Sequence, residues 1–385
     1  MTKKLKVLTV LGTRPEIIRL ASVMGTLEKY TEHVLVHTGQ NYDYELNEVF
    51  FKELGVSQPD HFLNVDTSSL GKVLGEILIK TEEVFLQEKP DAVLVLGDTN
   101  SAIAVLMAKR MKIPTYHMEA GNRCFDANVP EETNRKLVDH LADFNLVYTE
   151  HARRHLISEG LPHRFIYVTG SPMREVLDDK FDQINASSVL TELELEEEKY
   201  FIVSVHREEN VDSRENLTKI ISCLESLYDE YNYPIIVSTH PRTKKRLEKL
   251  NLSMDDRDIR FLKPFGFLDY NKLQMKSFCA ISDSGTISEE SAILDFSAVT
   301  IRNAIERPEA LDAGSIVLTG LTPDIVLSAV EVATNEKIDF PVREIPDEYL
   351  VANTSMRVTK LILGTAKLAG RWRNLEEFSR YDWEE

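Results

Sequence analysis

At 385 residues with a formal net charge of −18, the chain is too long for one ordinary core, so two domains are expected. A composition of 43% hydrophobic and 28% charged residues is that of a soluble globular protein, and the acidic balance argues against binding nucleic acid or an acidic membrane surface. Cys124, Cys223 and Cys279 are the three cysteines; they make no disulfide framework and have no metal-ligand spacing, which points to a reduced cytoplasm.

The opening "MTKKLKVLTVLG" is basic and then apolar, but its apolar run is short and lacks a cleavage-type ending, so it reads as a first strand. No segment approaches the roughly 18 apolar residues of a membrane span. Further short apolar runs follow in order: "HVLVHTG", "AVLVLGD", "PTYHMEA", "FNLVYT" and "FIYVTG". A second series runs from "YFIVSVH" through "PIIVSTH", "IRFLKP", "FCAISDS" and "AVTIR" to "SIVLTG". Continuous rather than alternating apolar runs mark strands buried on both faces, hence parallel sheets covered by helices. The polar, helix-patterned "DDKFDQINASSVLTELELEEEK" separates the two series. The chain therefore reads as α/β, with two doubly wound, Rossmann-like domains over 1–178 and 179–348. A helical tail, 349–385, carries Trp372 and Trp383 and is expected to pack back on the first domain.

Ligands of open α/β sheets bind at the carboxyl ends of the strands, and the unusual residues cluster there. With two such domains, the two sets of ends are expected to face each other across a cleft. "LGTRPE" follows the first strand; Gly12 permits a tight turn, Pro15 suits a first helical turn, and Arg14 adds a guanidinium. Backbone donors plus a guanidinium suit a phosphate, although a solvated arginine on an ordinary turn is the plainer alternative. "DSGTISEES" is stronger: Ser284 and Gly285 form a sharp, strained turn before a helix start that attracts an anion such as pyrophosphate, and Glu290 lies one turn in. "LGDTN", "HMEAGNR" and "VPEETNR" bring Asp98, Glu119 and the pair Glu131–Glu132 with Arg135; converging carboxylates suit acid and base work, against the alternative of salt-bridged structural acids. "SVHREEN" places His206, followed by Arg207, at a strand end, and His240 with Arg242 in "STHPRT" is a weaker case. His117 and Cys124 read as structural. No G-x-G-x-x-G dinucleotide fingerprint, Walker A lysine or G-x-S-x-G elbow occurs, so no cofactor and no metal are expected. "DRD" at Asp256–Asp258 reads as surface loop.

Together, "GTRPE", "GDTNS", "HMEAGNR", "PEETNRK", "TGSPM", "HREEN", "DSGTISEE" and "ERPEAL" resemble the non-hydrolysing UDP-N-acetylglucosamine 2-epimerase family, in order and over nearly the whole chain. The resemblance implies a glycosyltransferase-B-like fold, a cytoplasmic homodimer, and C2 inversion of a UDP-N-acetylhexosamine without a cofactor. Carried over by motif, Asp98, Glu119, Glu131 and His206 are the implied catalytic residues. Arg14 and Arg19 match basic substrate-site positions, Ser284, Gly285 and Glu290 the UDP turn and ribose acid, Tyr270 an aromatic near uracil, and Arg307 a further family motif. A UDP-sugar glycosyltransferase of the same architecture is the alternative; three acids favour the epimerase, because a transferase needs one base.

Several positions depart from the common family pattern. Arg19 stands where lysine is usual, "HREE" replaces a more basic "HRRE", "DSGT" replaces "DSGG", and "HTGQNYDYELNEVFF" differs after "TGQ", which puts activation by a second substrate molecule in doubt. These variants resemble the capsule and O-antigen branch that forms UDP-N-acetyl-L-fucosamine from UDP-2-acetamido-2,6-dideoxy-L-talose. Such a 6-deoxy sugar should meet apolar groups, for which Tyr42, Tyr44, Phe50, Cys124, Phe125 and Val129 are the candidates.

Overall fold

The computed structural model describes residues 3–39, 44–239, 241–248, 257–339 and 344–372. It divides into two units. One takes the described residues up to Asp178 together with those from Leu350 onward, and the other spans Asp179–Tyr349.

The first unit is built on seven strands: β1 (Lys6–Leu11), β2 (Glu32–His37), β3 (His61–Phe62), β4 (Ala92–Leu96), β5 (Thr115–Met118), β6 (Phe144–Val147) and β7 (Ile166–Val168). All pairs are parallel, in the order β3-β2-β1-β4-β5-β6-β7. The order reverses at β1, with β2 on one flank (Leu8 beside Val34) and β4 on the other (Leu8 beside Val93). That reversal is a topological switch point, where crossover helices leave on opposite faces and open a crevice at the strand ends. The helix Arg14–Tyr30 takes Pro15 in its first turn and buries Ile17, Leu20, Val23, Met24 and Leu27 at helical spacing. The helix Thr354–Thr365 packs on it; Thr354 donates its hydroxyl to the carbonyls of Thr169 and Ser171, and the Tyr116 and Thr365 hydroxyls lie 2.7 Å apart.

The second unit repeats the plan with β8 (Phe201–Ser204), β9 (Ile235–Ser238), β10 (Ile259–Leu262), β11 (Cys279–Ser282), β12 (Ala298–Thr300) and β13 (Val317–Leu318). Its order is β10-β9-β8-β11-β12-β13, again all parallel, with the switch point between β8 and β11. Helices cover both faces. One apolar cluster gathers Phe201, Val203, Leu224, Ile281 and Val330, and another gathers Tyr200, Ile202, Leu273, Phe296 and Ala310. Successive residues of β8 thus go to opposite cores, which is why the strand reads as an unbroken apolar run.

Candidate functional site

At the β1 end, Gly12 is required by space. A Cβ there would collide with the hydroxyls of Thr38 and Ser101, which hydrogen-bond each other at 2.8 Å. Glu16, in the first turn of the helix, accepts from the Gly12 N–H at 3.0 Å and the Thr13 hydroxyl at 2.8 Å. Its other oxygen accepts from the Thr99 hydroxyl at 3.0 Å, beyond the β4 end. Glu16 is 1% exposed, and burial pushes its carboxyl up to about 7 against the pull of those donors. Arg14 opens the helix with its guanidinium 5.8 Å from the Phe50 ring.

One turn further, Arg19 is buried, lies over the Tyr148 ring at 5.9 Å and is ion-paired with Glu119. Glu119, just past β5, has φ of 61°, a left-handed backbone that costs a glutamate about 1 kcal/mol or more. Its other oxygen accepts from the Asn122 amide at 3.3 Å. Asp98 follows Gly97, whose own φ is 67°, and pairs with Arg135 at 2.5 Å. Arg135 sits on the helix Pro130–Leu141, which is docked on the same turn by Asn134, whose amide donates to the Asp98 carbonyl at 2.9 Å. Glu131 is half-buried in the first turn of that helix. Its neighbour Glu132 turns inward to Arg135 at 3.1 Å and accepts from the backbone N–H of Cys124 at 3.2 Å. Asp98, Glu119 and Glu131 therefore come from the ends of β4 and β5 and the helix beyond. Buried behind them, His117 bonds the Gly97 carbonyl at 2.7 Å and lies 2.9 Å from Asp139, which holds Arg123 at 2.7 Å; both His117 and Cys124 sit inside the fold.

In the second unit Asp283 is the hub. It is fully buried just past β11 and accepts from the backbone N–H groups of His206 and Arg207 (3.1 and 3.0 Å) and from the Asn210 amide at 3.0 Å. Burial alone would raise its carboxyl, but His206, Asn210 and the Arg207 N–H hold it down at about 2. The His206 Nδ1 is 3.1 Å from the same carboxylate, and the His206 side chain is 50% exposed. An ionised carboxylate accepts only, so Nδ1 carries a proton and Nε2 is left as the working nitrogen.

The Ser284–Gly285 turn is not strained, contrary to the sequence expectation: neither residue has positive φ. Space does not force a glycine at 285 either: a Cβ there would meet nothing nearer than the Arg207 Nη2, at 3.9 Å. Ser284 braces the turn, its hydroxyl 2.9 Å from that of Thr286. The two acids behind it part ways. Glu289 pairs with Arg307 at 3.2 Å, both inside the fold, and Arg307 also donates to the Gly285 carbonyl at 3.3 Å. Glu290 is 7% exposed and accepts from the Gln274 amide at 2.9 Å. Tyr270 is half-buried, with its phenol bonded to Ser204 and Ser282 at the ends of β8 and β11; burial, then the Glu290 charge, push it well above the ordinary range.

Of the apolar candidates for the sugar, Phe50, Cys124 and Val129 are core residues, whereas Phe125 is 75% exposed and meets the His155 ring edge-on at 5.3 Å. His240, Asp256 and Tyr42 lie outside the described residues, and the Tyr44 side chain is not described. Arg257 is salt-bridged to Asp229 at 2.8 Å and Arg260 to Asp258 at 2.7 Å. Among the described residues, no three His, Cys, Asp or Glu side chains are grouped to hold a metal ion, and no helix is long and apolar enough to cross a membrane. The sequence motifs that contain Asp283 and Glu16 assign neither a role. Strand order is the signal that finds them, since each joins the two strand ends that flank a switch point.

A family model described as UDP-N-acetylglucosamine 2-epimerase matches residues 26–363. The UDP-N-acetylglucosamine 2-epimerase of Methanocaldococcus jannaschii is 36% identical over 346 residues, covering 86% of this chain and 93% of that one. Its structure in complex with UDP-GlcNAc and UDP superposes with a TM-score of 0.87 at 34% identity, covering 93% of this chain and 99% of that one. The structure of UDP-N-acetylglucosamine 2-epimerase from Rickettsia bellii superposes with a TM-score of 0.89 at 47% identity, over 96% and 98% of the two chains. A UDP-2,3-diacetamido-2,3-dideoxy-D-glucuronate 2-epimerase of Pseudomonas aeruginosa is 32% identical over 340 residues, or 87% of this chain and 94% of that one. Two Rossmann-like units with acids at their strand ends are, in this company, those of an isomerase. The chain belongs to the UDP-N-acetylglucosamine 2-epimerase family.

Proposed function

We propose that the protein inverts C2 of a UDP-N-acetylhexosamine without hydrolysing it. The C2 hydrogen is not acidic in the ground state. Departure of UDP with the electrons of the C1–O bond places positive charge at C1, and a carboxylate then removes the C2 proton to give a 2-acetamidoglycal. Re-addition of the UDP oxygen to C1, with a proton delivered to the opposite face of C2, completes the inversion. Asp98, Glu119 and Glu131 serve as base and acid. The Ser284–Gly285 turn, Arg14 and Arg19, with Tyr270, Glu290 and Arg307, hold the nucleotide sugar, and His206 steadies the leaving diphosphate. The observation that carries this reading is Glu119: a left-handed backbone kept to aim an ion-paired acid is strain retained for chemistry. Turnover in deuterium oxide tests it. The epimerised product must carry deuterium at C2; an unlabelled product rejects the elimination route.

The finer proposal concerns the sugar. We propose that the protein takes UDP-2-acetamido-2,6-dideoxy-L-talose to UDP-N-acetyl-L-fucosamine, for capsule or O-antigen, a reading that the departures from the common motifs support. Phe125, held exposed between Glu119 and Glu131 at φ 56°, supports an apolar partner for the 6-methyl group. A hydroxyl facing that ring costs about 1–3 kcal/mol, or roughly 5- to 150-fold in kcat/KM. Comparing kcat/KM for this sugar and UDP-N-acetylglucosamine decides the point, and preference for the latter rejects the branch. The cytoplasmic homodimer belongs to the same proposal; light scattering on the purified chain tests the dimer.

A further inference from the structure

Glu16 has no place in the mechanism above, yet it is among the most deeply buried acids of the first unit. Its oxygens meet neutral donors, the Gly12 and Thr13 N–H groups and the Thr13 and Thr99 hydroxyls. Thr99 also accepts from the Ser101 N–H at 3.2 Å, so its own proton is committed to Glu16. The charged and titratable groups around it are otherwise engaged. On its own helix Arg19 pairs with Glu119 and Arg14 lies by Phe50; at the strand ends Asp98 pairs with Arg135, and the His37 ring accepts from the Gly39 N–H. Thr99 follows Asp98 directly, and Arg14 lies two residues before Glu16.

We propose that Glu16 is a positioning residue for the epimerisation: its carboxylate ties the turn that carries Arg14 to the turn that carries Asp98, and protonation loosens the tie. The inference rests on the roles proposed above for those two residues. These donors all point at the carboxylate, so the ionised form is the one that fits them. A proton on Glu16 must itself be donated, and the hydroxyl it meets on Thr99 then gives up its donor role. Because burial lifts the Glu16 carboxyl to about 7, this exchange falls at neutral pH.

The test is kcat against pH from 6 to 8, using whichever of UDP-2-acetamido-2,6-dideoxy-L-talose and UDP-N-acetylglucosamine turns over faster. In the wild type kcat should rise several-fold across that range, up to the roughly tenfold ceiling that one ionisation sets. Glu16→Gln should be flat at the acid-side level, with KM within about threefold of the wild type. Thr99→Val leaves the Gly12 and Thr13 bonds of Glu16 in place but also strips the acceptor of the Ser101 N–H, a loss that acts equally at pH 6 and pH 8. If the tie matters, Thr99→Val lowers kcat several-fold more at pH 8 than at pH 6. A wild-type profile in Glu16→Gln, or a Thr99→Val effect no larger at pH 8 than at pH 6, overturns the inference. Carbon-13 titration of the Glu16 carboxyl reads the same link without catalysis: its midpoint must rise in Thr99→Val, since a donor to the charged form is gone, and an unmoved midpoint also overturns it. Failure of both sugars to turn over in the wild type rejects the proposed function instead, and the titration still decides the tie.

Discussion

Each unit joins the two strand ends at its switch point through one buried carboxylate, but the two carboxylates are treated oppositely. Asp283 reaches from the β11 end to the β8 end and has the His206 ring beside it, which holds it ionised. Glu16 reaches from the β1 end to the β4 end and meets only neutral donors, so burial wins and its carboxyl stays near neutrality. The same joint is permanent in one unit and adjustable in the other. What differs is the His206 ring, which Asp283 has beside it and Glu16 lacks.

The sharpest way to break the comparison is to attack the chemistry that each joint serves. Glu131→Gln keeps the shape and removes ionisation, so turnover should fall roughly 100-fold or more while UDP affinity, measured by calorimetry, stays within about twofold. The mirror change is Glu290→Ala, which should weaken UDP binding about tenfold, the order of one charge-assisted hydrogen bond. Normal turnover in the first variant removes Glu131 from the mechanism.

The joints themselves come next. Asp283→Asn sets an amide donor against two backbone N–H groups and should cost about 2–4 kcal/mol in chemical denaturation. The sign against pH separates the pair. Asp283 has a depressed folded-state value, so its stabilisation is present above its ordinary value near 3.8 and is lost as pH falls toward 2. Glu16 has a raised value, so its contribution is full below 4.5 and is lost as pH rises through about 7. Melting temperatures at pH 5 and pH 8 should show Glu16→Gln gaining on the wild type toward pH 8, by roughly 1–3 kcal/mol, with no such trend for Asp283→Asn. Equal trends in the two variants would dissolve the contrast.

The smallest expected effect is at Phe125. Its exposed ring adds little to the fold, so Phe125→Ala should leave the melting temperature within a few degrees and lower the preference for a 6-deoxy sugar by about 5-fold. An unchanged preference removes Phe125 from the sugar site.

Much of this was legible before any coordinates. Unbroken apolar runs such as "AVLVLGD" and "PIIVSTH" marked parallel strands, since a strand buried on both faces has no polar side to show. Strand ends were legible because glycine, proline and charged residues interrupt those runs abruptly. What stayed hidden was direction. Glu131 and Glu132 are adjacent letters, but a helix turns them about 100° apart, so Glu132 is buried against Arg135 and the Cys124 N–H while Glu131 stays half-buried. Glu289 and Glu290 divide in the same way, between Arg307 and Gln274. Strain was misplaced for a related reason. A Ser-Gly pair advertises a left-handed turn, yet neither residue takes one and a Cβ at Gly285 would meet no clash, while Glu119, which no local pattern marks, is left-handed.

The helix Thr354–Thr365 has a consequence in time. Tyr116 of β5 waits for Thr365, 249 residues later, and the second unit is synthesised between them. At about 5–20 residues per second, that interval is roughly 10–50 s on a translating ribosome. Throughout it, the face of the helix Arg14–Tyr30 on which the helix Thr354–Thr365 packs lacks that cover. The nascent first unit therefore keeps an apolar face open until the last helix is made, and a chain terminated after the second unit keeps it open for good.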